Sequence, residues 1–440
     1  MKFFLPLLAL VTLSSATEIR VATYNTSLAL TTRGRLSAEL RTKSFSQAQQ
    51  VAEVIQILAP DIILLNEFDY DAGSSALTRF NSNYLKISQG GQTPIDYPYR
   101  YTAPSNTGIH SGFDLDGNGQ IDSTSGDLNY GGDAWGFGEF EGKYGMAILS
   151  KYPIETDAIR TFQLLKWKSM PENVIPSGFY SEEEEEDLRL SSKSHWDVPI
   201  MVQGQKIHLL CSHPTPPVFD GSEDRNGRRN HDEIRLWADY LTNEADYLID
   251  DLGHRGGLPQ DARFILLGDQ NADPTRGDSF DTAIAQWLEH PRINASFSPE
   301  RSGTSSTAAR FDTSTFGLRV DYVLPSQTGF KITAGAVFWP TGNSLGANRV
   351  TISDHRPVYL DLEILPTLKE AIRDLSIQKN EAGGTITWRG ISGVEYEIQQ
   401  SGELIHWTPF DVTISSEGGV WSASFPLIQA PRFLRIVMIG

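Results

Sequence analysis

Cysteine is almost absent from this chain: Cys211 is the single one in 440 residues. An intrachain disulfide is therefore excluded, and a protein of this length must rest on its apolar core. Cys211 ends the run Ile207-His208-Leu209-Leu210-Cys211 and reads as a small buried hydrophobe rather than a reactive thiol. Long apolar runs are also missing. No stretch approaches the roughly 18 residues that a membrane-spanning helix needs. Basic charge is in deficit, with 37 Lys and Arg against 55 Asp and Glu, a net charge of −18. Such a surface repels polyanions at long range and discourages loose binding to nucleic acid or anionic lipid. No run of Lys and Arg with interleaved aromatics marks a nucleic-acid groove. A phosphate site is still allowed, because a bound cation and a few arginines reverse the field locally.

What is present is an ordinary globular composition, 39% hydrophobic and 21% charged. Residues 1–16 carry Lys2, an apolar run from Phe3 to Val11, and the small residues Ser14-Ser15-Ala16. This pattern predicts a secretory signal peptide and a secreted or periplasmic protein. Apolar strand patterns follow at Ile19–Tyr24, Ile62–Leu65, Met146–Leu149, Lys206–Cys211, Phe264–Leu267, Val320–Leu324 and Val358–Leu362. Helical spacing appears at Ser46–Leu58, which Pro60 closes, and at His231–Leu248. Interspersed strands and helices imply an α/β domain over residues 17–365. Beyond it, short alternating strands separated by turn segments predict a small all-β, sandwich-like module at 366–440, with a linking helix at Leu368–Leu375.

Polar residues cluster where the apolar runs end. Asn25 follows Tyr24, Glu67 follows Asn66, and His213 follows Ser212. Asp269 and Asn271 frame Gln270, Asp321 sits in Arg319-Val320-Asp321-Tyr322-Val323, and Asp354-His355 follows Ser353. Strand ends two residues apart point to one side, so Asp269 and Asn271 can act together. Together the strand-end residues read as one polar site of carboxylates, amides and imidazoles assembled at the edge of a sheet core. A hard cation takes carboxylate oxygens, amides hold an oxyanion, and an imidazole donates a proton.

In this order the motifs resemble the endonuclease/exonuclease/phosphatase superfamily, the DNase I-like hydrolases, over roughly residues 18–363. The resemblance implies a four-layer α/β/β/α sandwich with the site at one edge. It implies a metal-dependent phosphoric ester hydrolase using Mg²⁺ or Mn²⁺, with Glu67 as metal ligand and Asp354 assisting. Asp269 would be general base or water-positioning group, Asn25 and Asn271 would hold the phosphate, and His355, paired with Asp321, would be a protonated donor. His213 would be a second imidazole near the scissile bond. Two departures stand out: Asn66 replaces the family's frequent Gln, and Ser27 stands where an extra acid is common. The substrate is either a small or lipid phosphoester or nucleic acid. The competing reading is a non-catalytic Ca²⁺-binding surface adhesin that retains the fold.

Three further features invite expectations. Arg228 and Arg229, in a basic cluster, and His195, in Ser192-Lys193-Ser194-His195-Trp196-Asp197, are candidates to contact substrate phosphate. Asp114, Asp116, Asn118, Gln120 and Asp122 resemble the front of a structural Ca²⁺ loop, with Ser125 at position twelve and Asp127 as a stand-in. The run Glu182–Glu186 reads as a solvated loop or helix start. The C-terminal module is expected to attach to a cell surface or matrix, or to be a packing appendage.

Overall fold

The computed structural model describes residues 17–242, 245–302, 304, 306–307, 309–365, 373–380, 383–390, 395–401, 407–426 and 433–439. The expected signal segment and most of the expected linking helix lie outside these residues. The chain divides into two compact units, Met1–Ile364 and Leu365–Gly440.

The first unit holds two sheets. One has six strands in the order β10-β11-β1-β2-β4-β3, and the other five in the order β5-β6-β7-β8-β9. Their ranges are β1 Thr17–Leu28, β2 Ile62–Phe68, β3 Tyr99–Tyr101, β4 Met146–Ser150, β5 Arg160–Thr161 and β6 Trp196–Val202. The remainder are β7 Gln205–Cys211, β8 Arg263–Asp269, β9 Asp321–Pro325, β10 Phe330–Val337 and β11 Val358–Ile364. β1 runs parallel to β2 and β7 parallel to β8, while the other pairings are antiparallel.

Three apolar clusters define the layers. Ile19, Val21, Ile62, Leu64, Ile207, Leu209, Ile265, Leu267 and Val323 pack in one cluster between the sheets. Alternate residues of the first sheet, such as Ala22, Ile63 and Leu65, pack on the helix Ser46–Leu58 through Val51, Val54 and Ile55. Leu210, Phe264, Leu266 and Leu324 pack on the helix Arg225–Tyr240 through Ile234 and Trp237. The result is helix, sheet, sheet, helix, with period-two alternation feeding both faces of each sheet.

The second helix corrects the expected boundary of His231–Leu248 and occupies residues expected to be a loop. Its first turns bury polar groups, not apolar ones. Asn230 Nδ2 donates to the carbonyls of Thr215 and Gln270, each at 2.9 Å. A helix that satisfies loop carbonyls in this way carries no apolar period there. The acidic run forms the short exposed helix Glu182–Asp187, closed by a capping box between Ser181 and Glu184.

In the second unit the described strands are β12 Arg373–Asn380, β13 Gly383–Arg389, β14 Glu395–Ser401, β15 Thr408–Pro409, β16 Ile414–Glu417, β17 Val420–Pro426 and β18 Phe433–Ile439. They form a sheet β12-β13-β17-β16 and a sheet β15-β14-β18. Arg373–Leu375, expected to end the linking helix, belong to strand β12. Trp388, Ile398 and Phe425 centre the unit's small core.

Candidate active site

The inner row of each sheet turns polar as its strand ends. Ile19 and Val21 lie between the sheets, and Asn25 continues their alternation. Ile62 and Leu64 lead to Asn66, Leu209 and Cys211 to His213, and Ile265 and Leu267 to Asp269. Cys211 pairs with Leu267, so His213 and Asp269 each lie two residues past the same rung of the ladder. Asp269 pairs across to Asp321, the first residue of β9. Two sheets therefore deliver these residues together, and the segment leading into β11 adds Asp354 and His355.

Glu67 lies one residue off that alternation, and its backbone adopts φ 52°. Ser27 at φ 50° and Asn271 at φ 52° share this left-handed conformation. Non-glycine residues seldom adopt it, and its recurrence at strand ends is typical of functional sites.

Asp269 is the hub. Its Oδ2 accepts from Asn25 Nδ2 at 3.0 Å and lies 3.4 Å from His213 Nε2 and 3.5 Å from His355 Nε2. Its Oδ1 accepts the Asn271 backbone N–H at 3.0 Å. Asn66 Oδ1 accepts the Asp269 N–H at 3.3 Å, so the residue that departs from the family's pattern braces the hub. His355 Nδ1 meets Asp321 Oδ2 at 2.9 Å. Asn25 Nδ2 also donates to Glu67 Oε1 at 3.1 Å. Ser27 Oγ lies 3.4 Å from Asp354 Oδ1, which accounts for a hydroxyl where an acid is common.

These contacts set the charges. Burial opposes a charge on His355, but Asp321 and Asp269 on its two nitrogens outweigh it and raise the pKa to about 10. Burial would raise Asp269 as well, but His355, His213 and Asn25 together hold it well below the ordinary carboxylate range. Desolvation, helped by the charge of Lys193, pulls His213 down to about 4 and leaves it neutral. Burial raises Asp321. The ligand atoms of Asp269, Asp321 and His355 lie within 4.8 Å of one another. His355 Nδ1 hydrogen-bonds Asp321 Oδ2, and an imidazole protonated on both nitrogens has a lone pair for a cation only after it gives up a proton.

Glu67 and Asp354 also offer carboxylates at the cavity. Burial pushes the Glu67 carboxyl up, and the nearby charges of Asp269 and Asp354 push it further. A carboxylate under that strain, beside a second carboxylate, is what a hard cation stabilises. Glu67 and Asp354 are the residues that would hold it.

A cavity of about 820 Å³ opens over the cluster. Glu67, His213, Asp269, Asn271, Asp354 and His355 line it beside Leu115, Leu188, Pro217 and Leu318. Leu128, Phe137, Phe219 and Phe316 also line it and are among the exposed large apolar side chains of the molecule. Phe316 sits edge-on to the His355 ring, with centroids 5.5 Å apart.

Of the three expected phosphate contacts, Arg229 lines the cavity, and Arg228 and His195 are not among its lining residues. His195 is buried between Ser191 Oγ at 2.7 Å and the Glu233 carbonyl at 2.8 Å, both ring nitrogens used. Arg229 donates from Nε to the Leu190 carbonyl at 2.9 Å and from one terminal nitrogen to those of Trp135 and Arg189 at 2.6 and 2.8 Å. Arg228 donates to the Glu223 carbonyl at 3.1 Å and lies over the Phe280 ring. All three tie segments together.

Within the expected calcium loop the side chains make Asx turns. Asp114 accepts the N–H groups of Gly117, Asn118 and Gly119 at 2.7–3.0 Å, and Asp116 accepts that of Asn118 at 3.0 Å. Asn118 Oδ1 accepts from the Gln120 N–H at 2.8 Å, and Asp122 Oδ1 from the Thr124 N–H at 2.9 Å. Asp127, the expected stand-in for position twelve, caps the helix Leu128–Gly132 instead. The carboxylate that joins Asp114 and Asp116 within 4.8 Å is Asp133, which no loop spacing foretold.

A family model described as the Endonuclease/Exonuclease/phosphatase family matches residues 22–355. This chain belongs to that family. No curated protein matches it. Among solved structures it is similar to an endonuclease/exonuclease/phosphatase from Beutenbergia cavernae, at 15% identity and TM-score 0.46, covering 96% of this chain and 100% of that one. It is also similar to sphingomyelinase C from Streptomyces griseocarneus, at 16% identity and TM-score 0.40, covering 78% of this chain and 99% of that one. A third is a Staphylococcus aureus beta toxin mutant with bound magnesium ions, at 15% identity and TM-score 0.39, covering 78% and 99%. In this chain the family's fold carries a polar cluster beneath an apolar-rimmed cavity.

Proposed function

We propose that this protein is an exported, divalent-metal-dependent hydrolase of a compact phosphoester bearing an apolar group, with water as nucleophile. The observation that carries this reading is the union of the His355–Asp269–His213 cluster with a cavity rimmed by Leu128, Phe137, Phe219 and Phe316. A cavity of that size admits a drug-sized molecule, and its apolar wall rewards a hydrophobic substituent. The net charge of −18 weighs against a duplex polyanion.

A divalent cation, when bound by Glu67 and Asp354, supplies charge neutralisation at the phosphoryl group. The chain's own residues do the rest. Asn25 spends both amide N–H groups on Glu67 and Asp269 and fixes those carboxylates, while Asn271, with one amide N–H on the Pro214 carbonyl, has the other for a phosphoryl oxygen. Asp269, with so many donors around it, is a weak proton acceptor, and it serves best by orienting the attacking water. Protonated His355 donates to the phosphoryl oxygen and offsets the charge that builds there. Neutral His213 completes the donor ring around Asp269. Loss of the P–O ester bond, with water supplying the new P–O bond, releases an alcohol and a phosphate.

The test is hydrolysis by the full mature chain of a bis-aryl phosphodiester, an aryl phosphomonoester, a dispersed lipid phosphodiester and plasmid DNA, each with Mg²⁺, Mn²⁺, Ca²⁺ or chelator. Metal-dependent turnover of the apolar esters is the expected result. Cutting of DNA alone would replace the substrate class, and no turnover of any ester by folded protein would restore the adhesin reading.

A further inference from the structure

Lys193 is a buried cation that the hydrolytic cluster does not yet use. It is 6% exposed, yet it lines the same cavity as Glu67, His213 and Asn271. Lysines are seldom this buried unless something holds the charge. Its Nζ makes one hydrogen bond, to the Pro214 carbonyl at 3.3 Å. Burial lowers its pKa, and Glu233, Asp269 and Glu67 support the charge against this through space and not by hydrogen bonds. An ammonium has three N–H donors, so two remain for another acceptor.

The surroundings hold this lysine in place. Glu233, the nearest compensating acid, is already committed: Oε1 accepts the Ser192 N–H and hydroxyl at 2.6 and 2.9 Å, and Oε2 accepts the Thr215 N–H at 2.7 Å. It therefore clamps the segments on either side of Lys193 and Pro214 without engaging the ammonium. The Asn106 N–H donates to the Lys193 carbonyl at 2.9 Å. Gly136 packs so closely on the Ser192 carbonyl that a Cβ there would lie 1.7 Å from its oxygen. Three separate segments thus fix the backbone of Ser192 and Lys193.

The direction is given by Asn271. Its Nδ2 donates to the same Pro214 carbonyl, at 3.1 Å. Lys193 and the phosphate-holding amide therefore converge on one oxygen, within two hydrogen-bond lengths of each other. We propose that Lys193 is a phosphoryl-binding residue of this site, donating from Nζ to a non-bridging phosphate oxygen beside Asn271. The assignment rests on the phosphoester reading of the same cavity and adds to it a fixed protein cation on the side of Pro214.

The experiment is calorimetric titration of inorganic phosphate into the full chain saturated with Mn²⁺. Lys193→Gln can still donate to the Pro214 carbonyl but carries no charge. It should weaken phosphate binding about 10- to 100-fold, the size of a charge-assisted hydrogen bond. Lys193→Arg should keep binding within about fivefold by the same scale, and Mn²⁺ affinity and melting temperature should stay unchanged in both. Wild-type phosphate affinity in folded Lys193→Gln would overturn the proposal, and so would a loss of Mn²⁺ affinity that accounts for the whole effect. If Lys193→Gln does not fold, Lys193→Met is read by the same criteria. A wild-type protein that binds phosphate but hydrolyses none of the esters would sink the hydrolase reading and leave this assignment standing.

Discussion

Asp321 Oδ2 and His355 Nδ1 meet at 2.9 Å, both buried, and this contact keeps a histidine charged where burial alone would discharge it. Replacing the carboxylate by an amide keeps the shape and removes the cause. Asp321→Asn should lower kcat by about 100-fold at pH 8, with a smaller loss at pH 6, because the imidazole then protonates within that range. Rates measured from pH 6 to 9 check this. Parallel profiles for variant and wild type would show that the pair does not set the proton on His355.

His355→Ala removes the donor itself. The expected loss is about 10²–10⁴-fold in kcat, with KM little changed. A loss of only a few-fold, measured on the fastest ester, would mean that His355 acts as a frame for Asp269 and Phe316.

Glu67→Gln separates the metal from the fold. Glu67 is pushed up by burial and by two neighbouring acids. The variant should bind Mn²⁺ more than about tenfold more weakly, as expected on losing a carboxylate ligand, and should melt above the wild type in chelator. Unchanged metal affinity by calorimetry would move the ligand role elsewhere in the cluster.

The apolar rim should tune specificity and not chemistry. Phe219 is 86% exposed and Leu128 67%, both at the cavity. Phe219→Ser should raise KM about fivefold for an ester with a long apolar group, since part of a phenyl's burial energy is lost. An ester with a methyl group in its place should show no change. Equal effects on both esters would remove the rim from substrate binding.

Acid should destabilise the fold through His195. Its pKa falls to about 3 because the ring is buried. The unfolded chain takes up a proton near pH 6.5 and the native ring does not until about pH 3, so the unfolded state holds more protons between them. Stability therefore falls as pH falls through this window, by up to about 1.4 kcal/mol per pH unit for one such group. His195→Asn should flatten the dependence by about one proton in denaturant titrations from pH 7 to 4. A slope equal to that of the wild type would refute the assignment.

The polar cluster was legible because strand ends are marked by apolar runs: Asn25, Glu67, His213 and Asp269 each stand just past one, and His355 just before one. The supporting residues were not. Lys193 and Glu233 sit among polar neighbours, and nothing local shows that a helix buries Glu233 against the segment carrying Lys193. Arg228, Arg229 and His195 misled for the converse reason. Residue type suggested phosphate, while both ring nitrogens of His195 and part of each guanidinium serve hydroxyl and carbonyl groups of the protein. Asp133 lies 17 residues beyond Asp116, so the loop spacing alone could not single it out. The layered core followed from period-two patterns, whereas β5 and β15, at two residues each, are too short to show a period.

Gly268 carries no chemistry, yet its backbone sits at φ 139° with the Ser212 carbonyl so near that an added Cβ would lie 2.0 Å from the oxygen. The spacing between His213 and Asp269 is thus set by the absence of a methyl group. Even an alanine there must wedge β7 from β8 at their tips, and the hub would lose its imidazole before any reactive residue was touched. In a saturation mutagenesis map this silent position should score as harshly as Asp269, marking a hinge pin of the active site that no list of catalytic groups would include.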